Sequence, residues 1–368
     1  MKIAFVSSNF NNHILPLCDG LSSKCEFFFI LINNNPSNQF DSYNREKIER
    51  DYVFNYYDEK NREFINKIIQ EADAVIFGGG ADAILQERKR TGKLCFVYSE
   101  RLFKKGAYRR FIPSIKRVYK SRFSSPYDNL YVLSASSFLT HDLKLLGERY
   151  DRCLKLGYIP FNKKIEEVKE KSAEKLKLLY VGRLIKLKRV KDVIKACKLL
   201  DKGGVAYELN IIGDGEQRKF LEKLAKNNNN IKFLGKKDIL TVFEYMCNAS
   251  ALIFSSNKME GWGAVVNEAM AVGTPVICSN TVGSAKFMII EGENGFVYKM
   301  GNVKNLAENI KKLTDKKLLE KLSINAKNTI DKVWNGEIAS SRLIKVIEHI
   351  LDGKDATNLY KDGPLSKA

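Results

Sequence analysis

Two carboxylates eight positions apart, Glu260 and Glu268, stand in the run Glu-Gly-Trp-Gly-Ala-Val-Val-Asn-Glu, which follows an apolar Ala-Leu-Ile-Phe and a polar loop. A strand ending in that loop delivers Glu260 to the edge of a sheet. Gly261 and Gly263, on either side of Trp262, let main-chain N–H groups approach a bound oxygen, and Ala264 leads into a helix beginning at Val265 whose start favours an anion. Glu268 lies one turn into that helix, so the pair can grip two sets of hydroxyls on one long ligand. Farther upstream, Gly182 and Arg183 close a second apolar run, and Lys188 follows five residues later. Two cations so spaced behind a strand and a glycine suit a diphosphate, above all one that departs carrying charge.

The first half offers fewer such residues. A polar loop, Asn-Phe-Asn-Asn-His13, follows the first apolar run and puts His13 at a sheet edge. The strand at 94–99 ends in Glu100, and Gly78, Gly79 and Gly80 make a sharp turn behind another. Between Arg101 and Arg122 nine basic residues occur with no acid, interleaved with Phe103, Tyr108, Phe111, Ile112, Ile115, Val118 and Tyr119. Gly106 and Pro113 prevent one continuous helix, but the segment reads as a basic amphipathic surface suited to anionic lipid headgroups.

The elements that must position these residues follow from the pattern of short β-branched or aromatic runs alternating with segments of helical period, which predicts parallel sheets covered by helices. Strands are expected at 3–6, 27–32, 74–77, 94–98, 130–133 and 154–157, and again at 178–181, 208–212, 231–234, 251–254, 275–278 and 295–298. The charged stretch 161–177 reads as a linker, 305–351 as helical, and the polar tail after Gly353 as frayed. Domains are accordingly expected at 1–163 and 177–335, joined by a linker at 164–176 and followed by a helix and tail at 336–368.

The run around Glu260 and Glu268 resembles the E-x7-E signature of retaining glycosyltransferases with the two-domain GT-B fold, in particular the large family 4. The resemblance implies that Glu260 contacts a donor sugar and Glu268 the ribose of its nucleotide. Gly182, Arg183 and Lys188 look like the family's GRLxxxKG, with both cations on the donor diphosphate. Gly213 resembles the glycine of the strand-end GDG turn, and Gly235 and Lys236 the stretch near the nucleobase. Departures are Arg189 and Ser284, each where glycine is usual, and Glu100 where many members carry histidine. The resemblance covers roughly 177–298, with the first domain expected to bind an acceptor through His13 and Glu100.

The implied fold class is α/β: two Rossmann-like doubly wound domains facing each other across a cleft, with the C-terminal helix packing back toward the first. The implied activity is retaining, metal-independent transfer of a sugar, from a UDP-sugar by family habit, to a hydroxyl of a polyprenyl-diphosphate-linked saccharide in cell-surface polysaccharide synthesis. No Asp-x-Asp occurs in the sequence, and no cofactor beyond the nucleotide-sugar donor is expected. The segment 101–122 would dock on the anionic inner face of the cell membrane, making the protein cytoplasmic and peripheral.

Composition narrows the alternatives. The chain has 368 residues, 44% of them hydrophobic and 11% aromatic, a net charge of +19 and a pI near 9.4, which excludes disorder, collagen and coiled coil. Seven scattered cysteines with no CxxC fit reduced thiols. The start, MKIAFVSSNF, is too short in apolar length for a signal peptide. A nucleic-acid-binding protein would explain the charge but leave Glu260 and Glu268 aimed at a polyanion, so no nucleic-acid partner is expected. A nucleotide-sugar 2-epimerase of the same fold would release free sugar and need no basic aromatic surface. A dehydrogenase would need GxGxxG after the first strand, where SSNFNNH stands.

Overall fold

The computed structural model describes residues 1–33, 49–160 and 167–368. They form two compact units, one of Met1–Phe161 with Trp334–Ala368 and the other of Asn162–Val333.

The first unit contains β1 (Lys2–Ser7), β2 (Glu26–Leu31), β3 (Val53–Asn55), β4 (Ala74–Phe77), β5 (Leu94–Ser99), β6 (Leu130–Ser134) and β7 (Cys153–Lys155), all parallel, in the order β3-β2-β1-β4-β5-β6-β7. The second contains β8 (Leu176–Val181), β9 (Tyr207–Ile212), β10 (Ile231–Gly235), β11 (Ala251–Phe254), β12 (Val276–Ser279) and β13 (Gly295–Tyr298), also parallel, in the order β10-β9-β8-β11-β12-β13. Helices cover the sheets, so central strands such as Ala-Val-Ile-Phe in β4 and Ala-Leu-Ile-Phe in β11 are buried along their whole length. Strand order reverses direction between β1 and β4 in one sheet and between β8 and β11 in the other. Such switch points leave a crevice outside the carboxyl ends of the strands, which is where this architecture takes ligands.

The expected strands are present, with one addition: β3, three residues long, pairs with the edge of β2. The helix Gly336–Leu351 packs against Leu15–Ser22 in the first unit, so the chain returns to the unit in which it began.

The stretch read as linker lies partly outside the described residues; in what is described, Lys171 is buried, and its ammonium donates to the Cys247 carbonyl and the Thr274 hydroxyl. One expectation is corrected. The polar tail does not fray. Lys155 N–H donates to Ser366 O at 2.8 Å, Ala368 N–H to Cys153 O at 2.9 Å, and Leu154 and Lys367 form an antiparallel bridge along the edge of β7. Ala356 and Leu365 are fully buried, and Arg342 donates to the carbonyls of Asp362 and Pro364. An edge strand left open is a template for another chain. Deleting 354–368 is therefore expected to lower the unfolding temperature and to produce concentration-dependent self-association, read by light scattering after gel filtration.

Candidate functional site

In the second unit the candidate residues gather where strand order switches. Gly182, Arg183 and Lys188 follow β8, Glu260 follows β11, and the two strands are neighbours in the sheet. Lys188 Nζ donates to Glu260 Oε2 at 2.6 Å, with both side chains largely buried, and sits 4.8 Å from the centre of the Phe254 ring. The two loops are also joined through their backbones, Asn257 N–H to Leu187 O at 2.9 Å and Ser255 Oγ to Lys188 O at 2.7 Å. Arg183 is exposed and, among the described residues, has no ion-pair partner.

The loops after β8, β9 and β10 are stitched side by side: Gly182 N–H donates to Ile212 O at 3.0 Å, Gly213 N–H to Gly235 O at 2.8 Å and Leu184 N–H to Asp214 O at 2.9 Å. Lys236 is exposed beyond Gly235. Gly261, Trp262 and Gly263 are buried, and Gly263 crosses so close to Phe254 that a Cβ would lie 2.5 Å from its ring. Trp262 serves the packing of this loop, its indole N–H bonded to Asn267 Oδ1 at 2.8 Å. Ala264 caps the helix Val265–Ala271, which is only two turns long and carries Glu268 buried in its first turn. The positive charge here thus comes mainly from Arg183 and Lys188 and little from a helix dipole.

Arg189 occupies a backbone conformation of φ 51°, left-handed and usually left to glycine. The structure holds it there by a contact to the helix it precedes: Nε donates to Asp192 Oδ2 at 2.7 Å. Arg189→Ala keeps the strain and loses the pair, whereas Arg189→Gly loses both. Arg189→Gly is therefore expected to be more stable than Arg189→Ala by about 1 kcal/mol in denaturant unfolding.

In the first unit, the loop after β1 and the end of β5 are brought together by a residue that the sequence did not single out. Tyr158 donates its hydroxyl to Glu100 Oε1 at 2.5 Å and stacks on His13, ring centres 4.9 Å apart and 13° from parallel. Ile159 N–H donates to His13 O at 2.8 Å. Lys104 pairs with the other oxygen of Glu100. A Gly-Tyr after the last strand of the sheet was the available signal, but nothing in the sequence relates it to residues 58 and 145 positions away.

Burial lowers the pKa of His13 below its usual value, opposed by the charge of Glu100, and its Nδ1 has no hydrogen-bond partner among the described residues. The imidazole is therefore neutral at pH 7, with a nitrogen able to accept a hydrogen bond or a proton. A depressed folded-state pKa gives stability that is present above pH 6.5 and lost as pH falls through the folded value. His13→Gln is expected to flatten this acid-side loss, measured as unfolding free energy between pH 7.5 and 5.

The nine cations between Arg101 and Arg122 do not form one surface. Arg122 is buried, pairs with Asp82 and donates to Gly78 O at 2.6 Å, so it fixes the triple-glycine turn. Arg101 faces Asp142, a buried carboxylate that also accepts from the N–H groups of Leu102 and Phe103, and Lys104 is held by Glu100. Around the helix Pro113–Phe123, by contrast, Lys105, Lys116, Arg117 and Lys120 are exposed together with Tyr108, Phe111, Ile112 and Val118.

Comparison with known proteins gives these loops a family. Residues 161–329 match the model of glycosyl transferases group 1. The chain carries a group 1 glycosyl transferase domain. It is 32% identical to an uncharacterized glycosyltransferase of Methanocaldococcus jannaschii over 51% of this chain and 48% of that protein. It is 28% identical to the capsular polysaccharide biosynthesis glycosyltransferase CapM of Staphylococcus aureus over 48% and 47%. The chain spans about half the length of the curated relatives it matches. The Anabaena protein HepE, solved with UDP, superposes with a TM-score of 0.66 at 17% identity over 95% of this chain and 100% of that one. The paired parallel sheets are those of the GT-B fold, and the group 1 domain holds Arg183, Lys188, Glu260 and Glu268.

Proposed function

We propose that the protein is a retaining glycosyltransferase that moves a sugar from a nucleotide diphosphate sugar, a UDP-sugar, to a hydroxyl of a polyprenyl-diphosphate-linked saccharide in polysaccharide synthesis, without a metal. The observation that carries this reading is the meeting of Lys188 and Glu260 beside Arg183 at the switch point of the second sheet. Support for the nucleotide comes from the likeness to a protein solved with UDP, and for the pathway class from the likeness to a capsular polysaccharide glycosyltransferase.

In this reading Arg183 and Lys188 neutralise the diphosphate as the bond to the anomeric carbon breaks, Glu260 binds sugar hydroxyls and Glu268 the ribose. The acceptor hydroxyl attacks on the face the diphosphate leaves, and a diphosphate oxygen takes its proton. The neutral imidazole of His13 and the carboxylate of Glu100 would hold acceptor hydroxyls, with Tyr158 fixing both. Tyr108, Phe111, Ile112 and Val118, ringed by exposed cations, would sit on the anionic inner face of the membrane.

The test is turnover of UDP-, GDP- and ADP-sugars with EDTA present, for the wild type and Glu260→Ala, with and without anionic vesicles carrying a short prenyl-diphosphate saccharide. Transfer to the acceptor with retained configuration, abolished in the variant and raised by the vesicles, is expected. Release of free epimerised sugar with no glycoside formed would replace this reading by an epimerase. Turnover that needs a divalent cation would remove its metal-independent part.

A further inference from the structure

Lys188 is the cation that a donor diphosphate would need, yet its ammonium already holds a carboxylate. The Lys188–Glu260 contact of 2.6 Å is formed by side chains only 13% and 14% exposed, over the ring of Phe254. The backbones on either side are pinned. Asn257 N–H bonds to Leu187 O, Ser255 Oγ to Lys188 O, Glu260 N–H to Asn257 O at 3.0 Å, and Thr281 Oγ1 to Ser256 O at 3.0 Å. The loops cannot part to separate the two charges without breaking these bonds. Any phosphate that reaches Lys188 therefore arrives next to the carboxylate of Glu260, in a place where burial keeps Coulombic terms from being screened away.

We infer that Glu260 is a charge selector at this site: it disfavours a bare nucleoside diphosphate and favours a nucleotide that still carries its sugar. The inference rests on the nucleotide-sugar reading above. When a sugar is attached, its hydroxyls give the carboxylate new hydrogen-bond donors in place of the ammonium, and Lys188 is released to the phosphate. A site whose buried polar group is satisfied only by the ligand's hydroxyls strongly rejects the analogue that lacks them. Once the sugar has left and the proton taken from the acceptor has passed to solvent, the terminal phosphate carries an additional negative charge and Glu260 has lost its partners. It then repels the product and retakes Lys188, so the ion pair that closes the empty site also clears the spent nucleotide.

Isothermal titration with UDP, GDP and ADP, and with the corresponding sugar nucleotides, tests this on the wild type, Glu260→Gln, Lys188→Met and the double variant. Glu260→Gln is expected to bind the preferred nucleoside diphosphate about tenfold more tightly than the wild type, to gain nothing for the sugar nucleotide, and to show more product inhibition. The gain should vanish in the Lys188→Met background, which a general change in packing would not produce. Glu260→Ala, which removes the charge and supplies no amide donor, is expected to shift affinity in the same direction. Equal or weaker nucleoside diphosphate binding by both Glu260 variants overturns the inference while leaving the enzyme reading intact. Absence of nucleotide binding in every protein, the wild type included, overturns both.

Discussion

Replacing Arg183 by alanine is expected to lower turnover of the donor by about 10²- to 10³-fold, the range found when one charge-stabilising group is taken from a leaving oxygen, while the unfolding temperature stays where it was. The two halves of that expectation come from the same observation. Arg183 is exposed and has no ion-pair partner among the described residues, so the folded state gives up little when its side chain goes. Its carbonyl, which accepts the buried Tyr180 hydroxyl at 3.1 Å, is kept in the variant. Lys188 would be a poorer choice for this test, because removing it leaves the largely buried Glu260 without its ion-pair partner. For Arg183 the loss should fall mainly in kcat, since in its proposed role the charge it meets grows as the glycosidic bond breaks and is smaller in the bound donor. Steady-state kinetics with the preferred nucleotide sugar reads this directly. A variant that raises KM alone would mean that Arg183 only holds the donor.

What could be read from the sequence and what could not divides by distance along the chain. The donor-side residues sit in short loops directly behind strands, so Gly182-Arg183 and Glu260 could be assigned to sheet edges from the runs before them. The strand pairing then needed only the alternation of strands and helices to be inferred as parallel. Arg189 shows how far a local pattern carries: a non-glycine in the glycine position is visible in the sequence, but the partner that holds its left-handed backbone, Asp192, becomes evident only when the helix start is built. Other assignments depend on contacts that no window contains. Tyr158 joins His13 to Glu100 because β1, β5 and the end of β7 open on one side of the same sheet. A run of nine cations looked like one surface because sequence gives sign without direction; Asp82 and Asp142, 40 and 41 residues away, turn Arg122 and Arg101 inward. Polarity misled at the tail for a similar reason. Two of its apolar residues, Ala356 and Leu365, are buried, and its main chain finds partners on β7. Among cations the same lesson holds for Arg88 and Lys89, adjacent on the helix Asp82–Arg90, which donate to carbonyls at the ends of two different helices, Arg62–Glu71 and Pro113–Phe123.

A methyl group at Gly213 is expected to cost more stability than any other single substitution considered for the donor side, by about 3 kcal/mol or more. A Cβ there would lie 2.0 Å from the carbonyl oxygen of Gly182, and the backbone φ of 133° is itself one that only glycine takes readily. Relief by a small shift is blocked, because Gly182 N–H is tied to Ile212 O and Gly213 N–H to Gly235 O, so moving either loop breaks a main-chain bond at the end of a central strand. The clashing atom belongs to the residue just before Arg183, and the displacement therefore passes to the cation proposed to meet the diphosphate. Gly292→Ala supplies the comparison: φ is 73° there, but nothing lies within 4 Å of the added carbon, so it carries the conformational strain of about 1 kcal/mol without the collision. Denaturant unfolding of the two variants separates the terms, and nucleotide titration at a temperature where both remain folded separates stability from function. If Gly213→Ala unfolds like Gly292→Ala and still binds nucleotide, the loops after β8 and β9 have room to move that their hydrogen bonds do not suggest. If it loses both stability and nucleotide affinity while Gly292→Ala loses only a little stability, the close approach of these two turns is what holds Arg183 in place.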